Sequence, residues 1–189
     1  MSESIVKDKI LDVASRLFFE QGYNLTGINQ IIEEAGIARG SLYNHFESKT
    51  DLLLAYLERA QEERFTETVG FVAPIADPRK KLLAIFDYRL QRQQKIGYKG
   101  CQFIKICAEV DKGDTAVFEL VESHKERLKG FIRGLVQDAE RGDVQQQILS
   151  DELFTEMVFL LLEGSTTSVG FSRNIKSIKS ARKIVEKML

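Results

Sequence analysis

Apolar residues recur three and four positions apart in almost every segment of the chain, and this spacing constrains the fold more than any other feature. Such a step repeats along one face of an α-helix, whereas a half-buried strand would alternate every second residue. The 189 residues include 2 Pro and are 43% hydrophobic, so helices and a sizeable core are expected. The sequence therefore predicts an all-α fold of about nine helices.

Glycine and capping residues divide the first 46 residues into three short helices. The first is predicted over 4–21. Thr26 is placed to cap a second helix that ends at Gly36, and a third is predicted over 38–45. Two short helices joined by a tight turn that contains Gly are typical of the helix-turn-helix, whose second helix enters the DNA major groove.

The remaining six helices are predicted to be mostly longer, with Asp77 capping the fifth. Their predicted extents are about 48–70, 78–96, 101–110, 114–141 with Gly142 as the cap, 150–169, and 174 onward. The eighth is apolar nearly all round from Met157 to Leu162, so it needs a second surface to bury it.

The charge of the chain gives no general argument for nucleic acid binding. Its formal net charge is −1, and its first 64 residues carry 7 basic and 11 acidic side chains, which sums to −4. Any contact with DNA must therefore be local. The same figure favours the rival hypothesis of an interaction module with a vestigial helix-turn-helix.

Several other classes of protein are excluded by composition. The 2 His and 2 Cys are not spaced as a metal site or a nucleophilic set, and no glycine-rich phosphate loop occurs, so we expect neither an enzyme nor a bound cofactor or metal. The longest apolar stretch is far shorter than the roughly 20 residues of a membrane span. We expect a cytoplasmic protein with reduced thiols and no membrane contact.

From Ile5 to Leu57 the sequence resembles the DNA-binding domain of the TetR/AcrR family of bacterial transcriptional regulators. The match includes the run Leu-Tyr-x-His-Phe-x-Ser-Lys at 42–49. The resemblance implies a helix-turn-helix domain over 1–50 and a regulatory domain over 51–189 that binds an effector and dimerises, with the fourth helix linking the two.

The resemblance also implies which residues contact DNA. Arg39 and Ser41 would read bases or phosphates, Tyr43, Asn44 and His45 would contact the backbone, Lys49 would anchor a phosphate, and Thr26 would donate to phosphate from the other side. Ordinary surface polarity is the alternative for the polar residues, and partial burial for Tyr43. Ala38 and Gly27 stand where the family usually has hydroxyl residues, which weakens helix capping by about 1 kcal/mol.

In the family the last two helices, here about 150–189, pack against their symmetry mates as a four-helix bundle. The alternative is an ordinary monomer core. The resemblance thus implies a homodimeric repressor on a pseudo-palindromic operator in double-stranded DNA, released by an unidentified small-molecule effector or by thiol modification.

The stretch 100–110 is similar to one in electrophile-sensing repressors of this family, which react through its Cys. This makes Cys101 and Lys105 the candidate effector or redox residues, because a Cys at a helix start flanked by Lys99 and Lys105 favours the thiolate. The alternative for Cys101 and Cys107 is a buried small hydrophobe. On one helix their Cα atoms would lie about 9 Å apart, too far for a disulfide.

Overall fold

The structure is a computed structural model that describes residues 3–139 and 149–189. Within those ranges it consists of nine α-helices and contains no strand, which confirms the predicted all-α fold. In chain order the helices are α1 (Glu3–Glu20), α2 (Ile28–Ala35), α3 (Arg39–Tyr43), α4 (Lys49–Val72), α5 (Pro78–Lys95), α6 (Gln102–Glu109), α7 (Thr115–Asp138), α8 (Asp151–Ser172) and α9 (Lys176–Met188).

Side-chain caps explain three of the helix starts. The Asp77 carboxylate accepts two backbone N–H groups at the start of α5. At α4, Ser48 Oγ accepts from the Asp51 amide at 2.9 Å while Asp51 Oδ2 accepts from the Glu47 amide at 3.1 Å, which is a capping box. At α8, Ser150 Oγ accepts from the Leu153 amide at 3.3 Å. The starts of all three helices were predicted from the sequence.

Other helix ends differ from the prediction. The cap of α2 is Gly27, not Thr26, and it makes no side-chain cap hydrogen bond. The third helix is shorter than 38–45, because Ala38 is extended and supplies no cap. Helix α8 continues to Ser172, past the predicted end at 169. The predicted end of the seventh helix at 141, with Gly142, lies outside the described residues.

By packing, the chain divides into two compact units. Unit 1 comprises Met1–Glu62 and Gln102–Glu122. The apolar faces of α1, α2, α3 and the first half of α4 form its core, whose fully buried members include Ile10, Ile31, Leu42, Leu52 and Leu57. Unit 1 therefore holds the whole predicted helix-turn-helix together with α6.

Unit 2 comprises Glu63–Cys101 and Ser123–Leu189. Its core is formed by α5, α7, α8 and α9, with Phe86, Ile132, Phe154, Leu162 and Ile178 among its buried side chains. None of the described helices combines the length and the apolar character of a membrane span.

Candidate functional sites

The turn between α2 and α3 is set by Gly36, which takes the left-handed conformation with φ 58°. Its amide donates to the Glu33 carbonyl at 3.0 Å, and the Ile37 amide donates to the Ile32 carbonyl at 3.2 Å. These two bonds end α2 and turn the chain sharply, as in a Schellman motif. Buried Leu42 then holds the inner side of α3 against the core of unit 1.

The outer side of α3 carries polar and aromatic groups. Arg39 begins the helix and is exposed; it donates to Asn29 Oδ1 at 3.2 Å and lies 5.5 Å from the ring centroid of Tyr43. Tyr43 is 41% exposed and Asn44 is exposed, whereas Ser41 and His45 are half-buried. The structure thus brings these five predicted residues together on one short helix and its C-terminal cap.

Lys49 begins α4, close to the end of α3 in the chain. Its Nζ lies 4.2 Å above the ring centroid of Tyr23, a cation–π contact that fixes the ammonium group. Burial lowers the pKa of Lys49, and the charge of Glu109 partly opposes that shift. Tyr23 is itself held, because its hydroxyl lies 3.3 Å from Thr50 Oγ1.

Helix α1 brings two further cations to this region, and the sequence reasoning missed both. Lys7 Nζ lies 5.7 Å from the ring centroid of Phe46, just after α3. Lys9 Nζ would lie 3.7 Å from a Cβ built on Gly36, in the turn before α3. The sequence places Lys7 and Lys9 on the polar face of α1. It does not contain the turn geometry that brings this face near α3.

Several acidic groups of unit 1 are paired with arginines. Arg16 pairs with Glu34 and with Glu20, and Arg59 pairs with Asp12 at 2.7 Å. The hydrogen bond from Arg16 is the main cause that lowers the pKa of Glu34. Three of the eleven acidic groups among the first 64 residues are thus held in ion pairs with Arg16 and Arg59.

Thr26 is placed differently from the other predicted contact residues. It is fully buried, its hydroxyl donates to the Gly22 carbonyl at 2.7 Å, and it accepts from Gln21 Nε2 at 3.2 Å. The hydroxyl thus ties the α1–α2 turn together. Because its proton and its surface are both occupied within the protein, we leave Thr26 out of the DNA interface proposed below.

Helix α6 is attached to the same turn through Glu109. The Asn24 amide donates to Glu109 Oε2 at 2.9 Å, and Asn24 Nδ2 donates to the Glu109 carbonyl, also at 2.9 Å. Gly22, at φ 96°, leaves room for the carboxylate, since a Cβ there would lie 2.8 Å from Glu109 Oε1. Any displacement of α6 therefore acts on the turn that precedes α2.

Unit 2 contains a second feature, a set of buried polar groups around Cys101. Gln93, 1% exposed, donates to the Gly100 carbonyl at 3.0 Å and accepts from the Gly100 amide at 2.9 Å. A Cβ on Gly100 would meet the Cα of Gly170 at 3.0 Å, so the chain passes close to α8 here. These contacts fix the position of Cys101 beside α8.

One cation that contacts the Cys101 thiol was not predicted from the sequence. Lys125, on α7, donates to Cys101 Sγ at 3.8 Å and also pairs with Glu163 on α8. Cys101 is 5% exposed, whereas the predicted partner Lys105 is exposed on α6. Neither Cys101 nor Cys107 forms a disulfide within the described residues.

Arg89, His124 and Glu163 extend this set, and together with Cys101 and Lys125 we call it the buried charged cluster. Burial and the neighbouring cations, foremost Lys125, lower the pKa of His124 to about 3. Burial alone would raise the pKa of Glu163, but Lys125 and Arg89 outweigh it and hold that pKa below its ordinary value. The cluster therefore contains a neutral imidazole and an ionised carboxylate.

Comparison with known proteins identifies the first of these two sites. Residues 10–56 match the family model described as "Bacterial regulatory proteins, tetR family". The HTH-type transcriptional regulator TtgR of Pseudomonas putida is 27% identical over 166 residues, which cover 82% of this chain and 76% of TtgR. Residues 10–56 therefore form a TetR-type DNA-binding domain, and over most of its length the chain is similar to regulators of the TetR/AcrR family.

Solved structures of TetR-family regulators share the fold. A TetR regulator from Chloroflexus aurantiacus has a TM-score of 0.83 at 21% identity, covering 98% of this chain and 94% of that one. Escherichia coli NemR in its reduced form has a TM-score of 0.78 at 17% identity, covering 97% and 96%. At these identities the likeness shows the fold alone.

The TetR-type domain and the related regulators establish the coarse function. The chain is a DNA-binding transcriptional regulator, and the prediction that it is not an enzyme is confirmed by the regulators to which it is related. In a TetR-type helix-turn-helix the second helix of the motif, here α3, is the one that enters the major groove.

Proposed function

We propose that this TetR-family protein is a cytoplasmic repressor that binds a pseudo-palindromic operator in double-stranded DNA as a homodimer. The observation that carries the proposal is the exposed face of α3, which presents Arg39 and Tyr43. Lys9 lies at the turn before α3, Lys7 lies near Phe46 just after it, and Lys49 begins α4. In this proposal Arg39 and Ser41 contact bases or phosphates, and Tyr43, Asn44 and His45 contact the backbone.

One subunit would make few phosphate contacts, so two subunits are needed for tight binding to DNA. Two recognition helices about 34 Å apart would occupy successive major grooves on one side of the duplex. An effector in the 51–189 half would release the DNA by favouring a conformation with another separation, provided that it binds the two conformations with different affinities.

The proposed dimer face lies on α8 and α9. Leu153 and Leu160 are each 59% exposed on α8, Phe171 is 78% exposed at its end, and Ile184 on α9 is 45% exposed. The α8 members recur at helical spacing with exposed Gly164 between them, which permits close approach of a second helix. A second copy of the chain would bury this apolar stripe, as the all-round apolar sequence of α8 requires.

The regulator is tested by binding of labelled promoter DNA from beside its own gene, followed by fluorescence anisotropy over a range of salt concentrations. Steep loss of affinity with salt supports phosphate contacts. Absence of binding at low salt would support the rival hypothesis of a vestigial helix-turn-helix. A scrambled duplex of equal length serves as the control for nonspecific binding.

The dimer face is tested by Leu160→Glu, with Leu25→Glu as the matched control. Both leucines are exposed, but Leu25 lies in unit 1, away from α8 and α9 in the chain. Light scattering should show a dimer for the control and a monomer for Leu160→Glu, because a charge on each copy would meet its equivalent in an apolar contact. A dimeric Leu160→Glu protein would contradict the proposed face.

Thiol modification is a second candidate for release, and the contact of Lys125 with Cys101 Sγ favours it. At 5% exposure, the thiol requires movement of the surrounding helices before a reagent can reach it. We expect an electrophile such as N-ethylmaleimide to release operator DNA from the wild type and from Cys107→Ser, but not from Cys101→Ser. Normal release from Cys101→Ser would refute the thiol hypothesis.

A further inference from the structure

Arg89 is a buried guanidinium group whose charge is only loosely paired among the described residues. The residue is 6% exposed, on the inner face of α5, and within residues 3–139 and 149–189 its Nε has no hydrogen-bond partner. Its ion pair within the described part of the chain is to Glu163, where the nitrogen and oxygen are 4.0 Å apart, too far for a hydrogen bond. A buried arginine normally has its donors filled, because desolvating an unpaired charge is costly.

The carboxylate of Glu163 is engaged by a different cation. Lys125 Nζ pairs closely with Glu163 Oε2, while Glu163 Oε1 is buried and accepts no hydrogen bond from the part of the chain that the structure describes. Two buried cations from α5 and α7 are thus directed at one carboxylate on α8. Buried Arg64, a further cation near His124, adds to the positive potential.

We infer that the buried charged cluster is the recognition site for a small organic carboxylate, whose anionic group binds Arg89. This deepens the effector part of the function proposed above and rests on it, because it assigns the effector a chemical class. A carboxylate matches the planar donor fork of a guanidinium and supplies the negative charge that Arg89 lacks. A hydroxyl or ammonium donor on the same ligand would fill Glu163 Oε1.

A neutral ligand would leave the charge of Arg89 unpaired, and a cationic ligand would add to the positive potential of Lys125 and Arg89. Both would bind more weakly than an acid of the same size. Charge should therefore matter more than shape in ligand selection, which allows the inference to be tested with acids and their own amides.

The test is a thermal-shift titration of the purified protein, without DNA, with acetate, butyrate and benzoate and with the matching amides at constant ionic strength. We expect at least one acid to raise Tm saturably above its amide. Arg89→Gln should weaken that acid by about tenfold to a hundredfold, because it removes charge-assisted hydrogen bonds. Arg92→Gln, on the same helix but paired outward with Glu67, should leave the affinity unchanged.

Glu163→Gln provides a variant with the opposite expected sign. Removing the negative charge that Lys125 and Arg89 face should strengthen acid binding severalfold, whereas a purely structural cluster would lose stability without any change in selectivity. The inference is overturned if every acid behaves like its amide, or if Arg89→Gln and wild type bind the acids equally. Operator binding is measured separately, so failure to bind DNA would refute the proposed function and leave this site standing.

Discussion

Replacing Lys49 with Gln should flatten the salt dependence of operator binding by a calculable amount. Each subunit has four cations on α3 or on the segments next to it, which gives eight in a dimer. They are Lys7, Lys9, Arg39 and Lys49. Each neutralised phosphate contributes about −0.9 to the slope of log K against log salt, so the wild type should show a slope of about −7. Lys49→Gln removes one contact from each subunit and should give about −5.

The assay is fluorescence anisotropy of labelled operator between 50 and 200 mM KCl. Over that interval the wild type should lose about 10⁴-fold in affinity and the variant about 10³-fold. Lys95→Gln is the control, because Lys95 is also a helix-terminal lysine but is exposed and lies in unit 2. Its slope should equal that of the wild type.

Folding must be measured beside binding, because Lys49 also makes its cation–π contact with Tyr23. Losing that contact should cost about 0.5–1 kcal/mol in free energy of unfolding, too little to unfold the domain. If the slope of Lys49→Gln is unchanged while the protein remains folded, Lys49 does not contact phosphate. The assignment of the α4 start to the interface would then be wrong.

Three further results are expected. Below pH 6.5 the free energy of unfolding should fall by at most about 1.4 kcal/mol per pH unit until about pH 3, because His124 binds a proton in the unfolded chain but not in the folded protein. In urea titrations at several pH values, His124→Gln should lack this contribution to the slope, whereas His45→Gln should retain it. Glu109→Ala, which removes the acceptor of the Asn24 amide, should accelerate hydrogen exchange in the α1–α2 turn severalfold, and unchanged protection would show that this hydrogen bond does not hold the turn. Asp77→Ala should destabilise the protein by about 1 kcal/mol in urea melts, and an unchanged midpoint would show that the cap contributes nothing.

Much of the fold could be read from the sequence because its signals are local. The capping residues Asp77, Ser48 and Ser150 and the left-handed Gly36 act on neighbouring backbone groups, so a short stretch of sequence contains both partners. The prediction that Thr26 caps α2 was wrong because a competing local interaction engages its side chain. Its hydroxyl found a carbonyl four residues earlier, in the α1–α2 turn, which competes with the start of α2.

The parts of the sites that could not be read depend on contacts between distant segments. Lys9 reaches the turn at Gly36, and Lys125 reaches Cys101 across 24 positions of sequence. Arg89 is the exception, because it continues the helical row of Leu82 and Phe86 and therefore falls on the buried face of α5. A charged residue in such a row indicates either a buried ion pair or a ligand site. The distance between Arg89 and Glu163 is needed to distinguish these two possibilities.

Lys125 connects the two routes of release proposed above, because it contacts the Cys101 thiol and pairs with Glu163 in the same cluster that would hold a carboxylate. The thiolate is the reactive form of cysteine, so an anion bound to Arg89 places a negative charge where the thiolate would form. A bound carboxylate should therefore slow modification of Cys101. By linkage, if the bound acid and the modified thiol affect each other's equilibrium, they do so by the same factor. Acid binding and thiol modification are thus expected to be antagonistic inputs to one cluster, even though each alone would release the operator.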